Sequence, residues 1–168
     1  MNDIFEEHFK EQGFSEPTLI QKEVYPLLAQ GKDVLGLSPT GSGKTLAYAL
    51  PLLEKVLKGD GPQLLIIAPS QELAAQLSDV IRPWGKLLEL KTAAVIGGAN
   101  VRRQIEKLRR DRPEVIVGTP GRLLNLADEK RLKLHNLEAI VIDEADEMLA
   151  QEETLADCRK LVSRARAD

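Results

Sequence analysis

The chain has 168 residues, of which 43% are hydrophobic and 29% are charged, and its formal net charge is −3. This composition is typical of a globular domain with a substantial core, and no apolar run approaches the length of a membrane span. The negative net charge gives no global attraction to nucleic acid, so any nucleic-acid binding requires a local surface.

The cysteine and histidine content excludes two further classes of protein. Cys158 is the single cysteine, and His8 and His135 are the only histidines, so neither a disulfide framework nor a zinc ligand set is available. The N-terminus is acidic and amphipathic, unlike a secretory signal. We therefore expect a reducing, cytoplasmic location.

Two short helices are predicted at the start of the chain. The apolar spacing of Ile4–Gln12 predicts the first helix, Gly13 can end it, and Pro17 lies where the second can begin. Gln21 falls on the second helix, and its amide suits the adenine edge, which offers an amino group and N7. Taken alone, a solvated glutamine on a short helix is the simpler interpretation.

The segment Ser38–Thr45 reads SPTGSGKT and lies between a predicted buried strand, Asp33–Leu37, and a helical pattern, Leu46–Leu57. A strand, a glycine-rich loop and a helix in this order are typical of a P-loop that binds a nucleoside triphosphate. The strict pattern has glycine at the first position, where this chain has Ser38.

The residues of this loop have the chemistry that phosphate binding requires. Gly41 and Gly43 let consecutive backbone N–H groups turn toward an anion, and the following helix presents its positive end to the same point. Lys44 adds a mobile positive charge for the outer phosphates, and the Thr45 hydroxyl is the usual ligand for Mg²⁺.

Four more apolar strands alternate with helical segments, which predicts an α/β fold with a mainly parallel sheet flanked by helices. The predicted strands are Gln63–Ala68, Lys91–Ile96, Glu114–Val117 and Glu138–Ile142. Helices are predicted from Glu72 to Trp84, from Asn100 to Arg110, from Leu123 to about Ala127, and within Glu147–Asp168. Each candidate functional turn follows a strand, at the edge where open α/β sheets bind ligands.

The predicted helix Asn100–Arg110 is strongly basic. Its cations are Arg102, Arg103, Lys107, Arg109 and Arg110. They could bind phosphates, but a solvated helix face is the simpler interpretation.

The last strand ends directly in the sequence DEAD, Asp143–Asp146. Next to a P-loop, Asp143 can hold Mg²⁺ through water, opposite Thr45, and Glu144 can orient or deprotonate an attacking water. In isolation an acidic turn would explain these residues, but a preceding buried strand and the GSGKT sequence favour the catalytic interpretation.

The segments GFSEPTLIQ, TGSGKT, GG, TPGR and DEAD occur in this order, and together they resemble the first RecA-like domain of a DEAD-box ATP-dependent RNA helicase. The resemblance covers Gly13 to about Leu161. It implies a RecA-like P-loop NTPase fold, with residues 1–168 as an N-terminal helicase domain that ends before the family's SAT motif and its strand.

The resemblance implies an ATP site and Mg²⁺ as cofactor. Phe14 would stack on adenine, Gln21 would hydrogen-bond its edge, and Thr18 would support the loop. The phosphate cradle would comprise Thr40, Gly41, Ser42, Gly43, Lys44 and Thr45. Lys44, Asp143 and Glu144 would be catalytic, Thr45 and Asp143 would hold the metal, and Asp146 would couple nucleotide state to the rest of the domain.

The resemblance also implies partners, which are RNA, bound through its sugar-phosphate backbone without sequence preference, and a second RecA-like domain. No membrane is implied. The RNA-binding turns would contain Pro69, Ser70, Gln71, Gly97, Gly98, Thr119, Pro120, Gly121 and Arg122. Thr119 could also cap the helix that starts at Pro120.

One departure concerns the RNA-binding turns. The family's usual PTRELA is PSQELA in this chain, so Gln71 stands where an arginine normally contacts RNA. The missing charge should weaken RNA binding and flatten its salt dependence.

Because the arginine finger of the second domain is absent, we expect the isolated chain to hydrolyse ATP negligibly. Two alternatives stay open on the sequence. One is another P-loop ATPase or a DNA helicase, and the other is a non-catalytic fragment that binds nucleotide or RNA.

Overall fold

The computed structural model describes residues 1–14, 16–36, 43–97 and 100–167. The chain divides into two compact units, Met1–Val56 and Leu57–Asp168. Among the described residues, no helix combines the length and the apolar character needed to cross a membrane.

The described residues of the first unit form the helices α1 (Asp3–Glu11), α2 (Leu19–Ala29) and α3 (Lys44–Leu53). Asn2 caps α1, because its side chain accepts a hydrogen bond from the Ile4 N–H over 2.8 Å. Phe5 and Phe9 are the buried residues of α1. Helices α2 and α3 each continue through a proline, Pro26 and Pro51, and the two helices pack on each other.

Helix α2 begins with a capping box. The Thr18 hydroxyl accepts a hydrogen bond from the Gln21 N–H, and the Gln21 side-chain oxygen accepts one from the Thr18 N–H over 2.9 Å. Both groups are thereby satisfied at the helix start. The helix therefore starts two residues after Pro17, which had been predicted to open it.

The predicted strand Asp33–Leu37 is wrong over residues 33–36, to which the structure assigns no strand; Leu37 lies outside the described residues. Leu35 is 81% exposed. Apolar side chains favour burial, but a strand also needs a neighbouring strand to pair with its backbone, and no pairing of residues 33–36 is described.

The second unit contains a four-stranded parallel sheet, which confirms the predicted parallel α/β architecture. Its strands are β1 (Leu64–Ile67), β2 (Thr92–Val95), β3 (Val115–Gly118) and β4 (Ala139–Ile142), in the order β2-β3-β1-β4. Strands β1 and β3, in the middle, are buried along their whole length, whereas β4 is half-buried. Continuous apolar runs such as LLII are the pattern that a sheet covered on both faces requires.

Five helices connect or follow these strands in the part of this unit that the structure describes. They are α4 (Gln71–Leu87), α5 (Val101–Asp111), α6 (Pro120–Asp128), α7 (Ala145–Leu149) and α8 (Glu152–Ala167). One hydrophobic cluster joins Leu65, Ile67 and Ile116 of the sheet to Leu123 of α6 and Leu161 of α8. Helix α6 begins three residues earlier than predicted, with Thr119 at the cap position and Pro120 in the first turn, although the Thr119 side chain makes no capping hydrogen bond.

The register of the sheet aligns the last residues of all four strands. Val95 pairs with Gly118, Gly118 with Ile67, and Ile67 with Ile142. Neighbouring strands in a sheet lie about 4.8 Å apart, so the turns that follow these residues form one row at the carboxyl edge.

Candidate functional site

The Phe14 ring lies three residues after the end of α1 and is 47% exposed. It contacts the buried ring of Phe9, with the ring centroids 4.9 Å apart and the planes tilted by 44°. One side of the Phe14 ring is thus held by the protein while much of its surface stays open. A supported, open aromatic ring is what stacking on a base would require.

Gln21 is only 5% exposed, and both ends of its amide are engaged. The oxygen accepts from the Thr18 N–H, and Nε2 donates to the Gly43 carbonyl over 3.1 Å. Direct recognition of adenine by Gln21 remains a prediction; Nε2 has a second N–H and the oxygen a second lone pair with which the amide could contact a base.

Gly43 occupies the cap position of α3 with φ of 82°, a left-handed conformation that favours glycine. A Cβ atom on Gly43 would lie 2.6 Å from Gln21 Nε2 and 3.1 Å from the Thr18 side chain. The three residues therefore form one packed junction at the start of α3.

Lys44 and Thr45 are the first two residues of α3 and are half-buried. This places their side chains at the positive end of the helix dipole, as phosphate binding would require. Thr40, Gly41 and Ser42 lie outside the described residues, and so do Ser38 and Pro39.

The DEAD segment follows β4 at the carboxyl edge of the sheet. Asp143 is 6% exposed, and its Oδ1 atom accepts a hydrogen bond from the Glu144 N–H over 2.8 Å. Glu144 has φ of 51° and ψ of 48° at the cap position of α7. A left-handed non-glycine residue stores strain, and such residues cluster at functional sites.

The structure brings together residues of three predicted RNA-binding turns. A Cβ atom on Gly97 would lie 2.9 Å from Gln71 Nε2, and Arg122 Nη2 donates to the Gly97 carbonyl over 3.3 Å. Gln71 begins α4 and Arg122 lies in the first turn of α6, so the turns after β1, β2 and β3 meet around Gly97. Gly98 lies outside the described residues.

The remaining residues of these turns shape the backbone. Ser70 caps α4, and its hydroxyl accepts a hydrogen bond from the Leu73 N–H over 3.2 Å. Pro120 is buried, whereas Gly121 next to it is exposed; Pro69 and Thr119 are half-buried.

The Nη1 atom of Arg122 is buried and has no hydrogen-bond partner among the described residues. Leaving a buried donor unpaired costs about 1–3 kcal/mol, and more when the group is charged. A phosphate oxygen would satisfy Nη1 only after the atoms that cover it move, because Nη1 is closed to solvent.

Two functional contacts were missed by the sequence reasoning. The capping box could have been found, because Thr18 and Gln21 have the T-x-x-Q spacing that marks it. The bond from Gln21 to Gly43 had no sequence signal, because the two residues are 22 positions apart and meet only in the folded unit.

The donor groups fit a magnesium ion that is bound mainly through phosphates and water. Mg²⁺ keeps several waters and uses one or two protein carboxylates, so it needs no dedicated cage. The described residues contain no group of three or more His, Cys, Asp or Glu side chains that could hold a metal ion. The buried carboxylate of Asp143 is oriented by the Glu144 N–H.

The chain is similar over most of its length to bacterial RNA helicases. It is 46% identical over 166 residues to the probable ATP-dependent RNA helicase YfmL of Bacillus subtilis, covering 97% of this chain and 44% of the relative. It is 43% identical over 152 residues to the DEAD-box ATP-dependent RNA helicase CshC of Bacillus cereus, covering 90% of this chain and 39% of that relative. The chain thus spans less than half the length of these relatives.

Solved structures agree with this similarity. A hypothetical ATP-dependent RNA helicase from Sulfolobus tokodaii aligns with a TM-score of 0.88 at 36% identity, over 99% of this chain and 48% of that one. A DEAD box protein from Methanococcus jannaschii aligns with a TM-score of 0.87 at 34% identity, over 98% of this chain and 45% of that one. These matches confirm the RecA-like fold.

The family model described as DEAD/DEAH box helicase matches residues 18–168, from the helix cap at Thr18 to the end of the chain. Together with the strand-end motifs and the two sets of relatives, this match shows that the chain belongs to the DEAD/DEAH box helicase family.

Proposed function

We propose that residues 1–168 are the N-terminal RecA-like, ATP-binding domain of an ATP-dependent RNA helicase. The domain would work with a second RecA-like domain, and the two together would couple ATP hydrolysis to the unwinding or remodelling of RNA duplexes. Support comes from the family membership of the chain and from relatives that are named ATP-dependent RNA helicases.

For nucleotide binding, the proposal assigns adenine to Phe14 and Gln21, with Thr18 fixing the Gln21 side chain. The loop from Thr40 to Thr45 binds the triphosphate, and Lys44 neutralises charge on the outer phosphates. The half-open Phe14 ring and the position of Lys44 in the first turn of α3 support this assignment.

For hydrolysis, Glu144 orients and deprotonates the water that attacks the terminal phosphate, and Lys44 stabilises the charge that develops on that phosphate. Asp143 and Thr45 would hold Mg²⁺, which would supply positive charge to offset that of the phosphates. The strained backbone of Glu144 supports a functional role, because Asp143 fixes its N–H and thereby the direction of the turn.

For RNA binding, the turns around Gly97 would contact the sugar-phosphate backbone, with Arg122 as the charged group and exposed backbone N–H groups beside it. Such contacts carry no base information, so binding would be independent of sequence. The unpaired Nη1 atom of Arg122 supports an anionic ligand here.

One observation carries the proposal. The last residues of the four strands are in register, so the turns that bear Arg122 and Gly97 and the turn that bears Glu144 share one edge of a single sheet. RNA-contacting and hydrolytic groups on one edge of a single sheet are the arrangement that an RNA-stimulated ATPase would require.

The first experiment measures binding of fluorescent ATP and GTP analogues to the chain, together with its ATPase rate with and without RNA. We expect adenine to be preferred and hydrolysis to be negligible, because an arginine finger contributes about 10³–10⁵ in rate. Equal binding of ATP and GTP would favour a different P-loop protein, and RNA-stimulated hydrolysis by this chain alone would contradict the two-domain requirement.

The second experiment uses a protein in which this domain is joined to a second RecA-like domain. Glu144→Gln should abolish RNA-stimulated ATP hydrolysis and preserve ATP binding, since the side chain keeps its size and loses its basicity. The matched control is Glu147→Gln, an exposed carboxylate three residues further on. Unchanged ATPase activity in Glu144→Gln would refute the enzymatic role.

The cytoplasmic location suggested by the lone Cys158 is part of the proposal and is checked by fractionating cells.

A further inference from the structure

Helix α5 and the residue after it carry an unusual concentration of positive charge. Residues 101–112 contain six cations and two carboxylates, a formal charge of +4 in a chain whose net charge is −3. The cations are all exposed and are Arg102, Arg103, Lys107, Arg109, Arg110 and Arg112. This segment therefore presents a local positive surface on an otherwise acidic protein.

The stability of the helix does not account for the cations of the first turn. A helix N-terminus carries partial positive charge, so cations there are unfavourable, whereas cations in the last turn are favourable. Arg109 and Arg110 lie in the last turn, but Arg102 and Arg103 lie in the first turn, which has no acidic residue. The first-turn arginines are thus unfavourable toward the helix dipole, and the dipole gives no reason for their position.

Like charges also line up along the outer face. Arg103 and Lys107 are four residues apart, a spacing at which side chains on a helix are neighbours and like charges repel. Arg110 pairs with Asp111 over 3.1 Å, and Glu106 lies four residues from Arg102 and three from Arg103, so two carboxylates face six cations on this segment. A polyanion on this face would relieve the repulsion.

The basic face is fixed beside the turn that contains Gly97. Gln104 of α5 donates from Nε2 to the Ile96 carbonyl over 2.7 Å, and Asn100 caps the helix by accepting from the Arg103 N–H over 3.2 Å. Arg122 bonds the Gly97 carbonyl from the other side. The first turn of α5 is therefore anchored to the same strand end as the turns assigned to RNA.

We propose that Arg102, Arg103 and Lys107 form an auxiliary binding surface for the phosphodiester backbone of RNA, which extends the path of the strand past Gly97 and Arg122. The inference rests on the proposed function, because it takes the turns around Gly97 to contact RNA. Arginine suits this role, since its planar guanidinium binds phosphate through two parallel hydrogen bonds. The binding is electrostatic and independent of base sequence.

The test compares the whole chain with the triple variant Arg102→Gln, Arg103→Gln, Lys107→Gln. Binding of a fluorescein-labelled, mixed-sequence single-stranded RNA is followed by anisotropy at several salt concentrations. The control variant Arg131→Gln, Lys133→Gln, Arg159→Gln removes the same charges from exposed positions elsewhere. Circular dichroism verifies that every variant is folded, and Arg122→Gln reports on the proposed primary site.

We expect the triple variant to bind RNA at least tenfold more weakly at low salt, with a salt slope that is flatter by about 2, because each lost phosphate contact removes about 0.7. The control should change affinity less than twofold, and Arg102→Lys, Arg103→Lys should keep the wild-type slope. ATP-analogue binding should stay unchanged in the triple variant.

Two outcomes separate this inference from the proposed function. If the wild-type chain binds RNA and Arg122→Gln weakens it, but the triple variant behaves like the control, the auxiliary surface is refuted and the proposed function stands. If the wild-type chain binds no RNA even at low salt, both are refuted.

Discussion

Gln21 Nε2 donates a hydrogen bond to the carbonyl of Gly43 over 3.1 Å, and this bond joins the start of α2 to the start of α3. The same side chain closes the capping box with Thr18 through its oxygen. A residue that was predicted to read adenine thus also holds the junction next to Lys44. If adenine takes over one of these bonds, the junction at the start of α3 must rearrange, so base recognition and phosphate binding would be coupled.

Replacing Gln21 by alanine should therefore have two effects. It removes two hydrogen bonds from a buried position, which should lower the free energy of unfolding by about 1–3 kcal/mol. It should also erase the preference for ATP over GTP. Urea denaturation measures the first effect, and displacement of fluorescent nucleotides measures the second.

The control for Gln21→Ala is Asn100→Ala, which also removes a helix-capping side chain, at the start of α5. It should cost about 1 kcal/mol and leave nucleotide preference intact. If Gln21→Ala retained the preference for ATP, the residue would be a structural link with no part in base recognition.

A pair of glycines tests how tightly this junction is packed. Gly43 and Gly13 have almost the same backbone angle, with φ of 82° and 83°, but nothing lies within 4 Å of a Cβ atom added to Gly13. Gly13→Ala should cost only the strain of a left-handed alanine, roughly 1–2 kcal/mol. Gly43→Ala must in addition displace the Gln21 amide.

We expect Gly43→Ala to lower the free energy of unfolding by about 1 kcal/mol or more beyond the effect of Gly13→Ala. It should also weaken ATP binding, which Gly13→Ala should not do. Thermal denaturation and nucleotide titration of both variants provide the measurement, and equal costs would show that the Gln21 contact contributes nothing.

The parts of the fold that follow from local pattern could be predicted from the sequence. The apolar runs that became β1 and β3 are buried on both faces. Helix α6, predicted from Leu123, starts at Pro120, because the fixed backbone angle of proline suits the first turn. Residues 33–36 include the apolar Val34 and Leu35, yet they do not form a strand. Strand formation depends on pairing with a neighbouring strand, which the sequence of a single segment does not encode.

The same limit applies to the candidate site. The motifs place Asp143 and Glu144 directly after β4, as predicted, because their position depends only on the order of the chain. The left-handed backbone of Glu144 had no signal, since glutamate does not favour that conformation. The grouping of Gln71, Gly97 and Arg122 depends on the order of strands in the sheet, which only the tertiary structure supplies.

The neutral side chain at position 71 should limit RNA affinity. Gln71 lies beside Gly97 and is exposed, so an arginine there could reach a phosphate next to Arg122. Gln71→Arg should raise RNA affinity several-fold at low salt and steepen the salt slope by about 0.7. Anisotropy titrations at several salt concentrations measure both changes.

The matched control for Gln71→Arg is Gln76→Arg, which adds the same charge at another exposed position of α4. Gln76→Arg should change the salt slope of RNA binding by less than half as much as Gln71→Arg. An equal gain in RNA affinity in both variants would mean that the gain reflects net charge. Position 71 would then not contact the bound RNA.

Tyr25 provides a prediction about pH. Its hydroxyl donates a hydrogen bond to the Glu54 carboxylate, which also accepts one from the Asn2 N–H over 2.6 Å. Glu54 therefore links the start of α1 to the middle of α2. Burial, followed by the hydrogen bond to Glu54 and its negative charge, raises the pKa of Tyr25 far above its usual value. The folded unit therefore keeps the phenol protonated at a pH where an unfolded chain loses the proton.

The sign of the effect follows from this difference. An unfolded tyrosine ionises near pH 10, so the stabilising contribution of Tyr25 is complete below about pH 10 and is lost progressively as the pH rises above it. Because the ring is partly exposed and solvent screens the charges, we expect a loss of only about 0.5–1 kcal/mol by pH 11. Urea denaturation between pH 8 and pH 11 measures it.

Tyr25→Phe should be less stable than the wild type at pH 8, because Glu54 loses a hydrogen-bond donor, but its stability should fall less steeply above pH 10. Tyr48→Phe is the control, since it retains Tyr25 and should show the alkaline loss of the wild type. If the wild type and Tyr25→Phe lost stability in parallel above pH 10, other groups would account for the alkaline loss. The hydrogen bond between Tyr25 and Glu54 would then make no pH-dependent contribution to the free energy of unfolding.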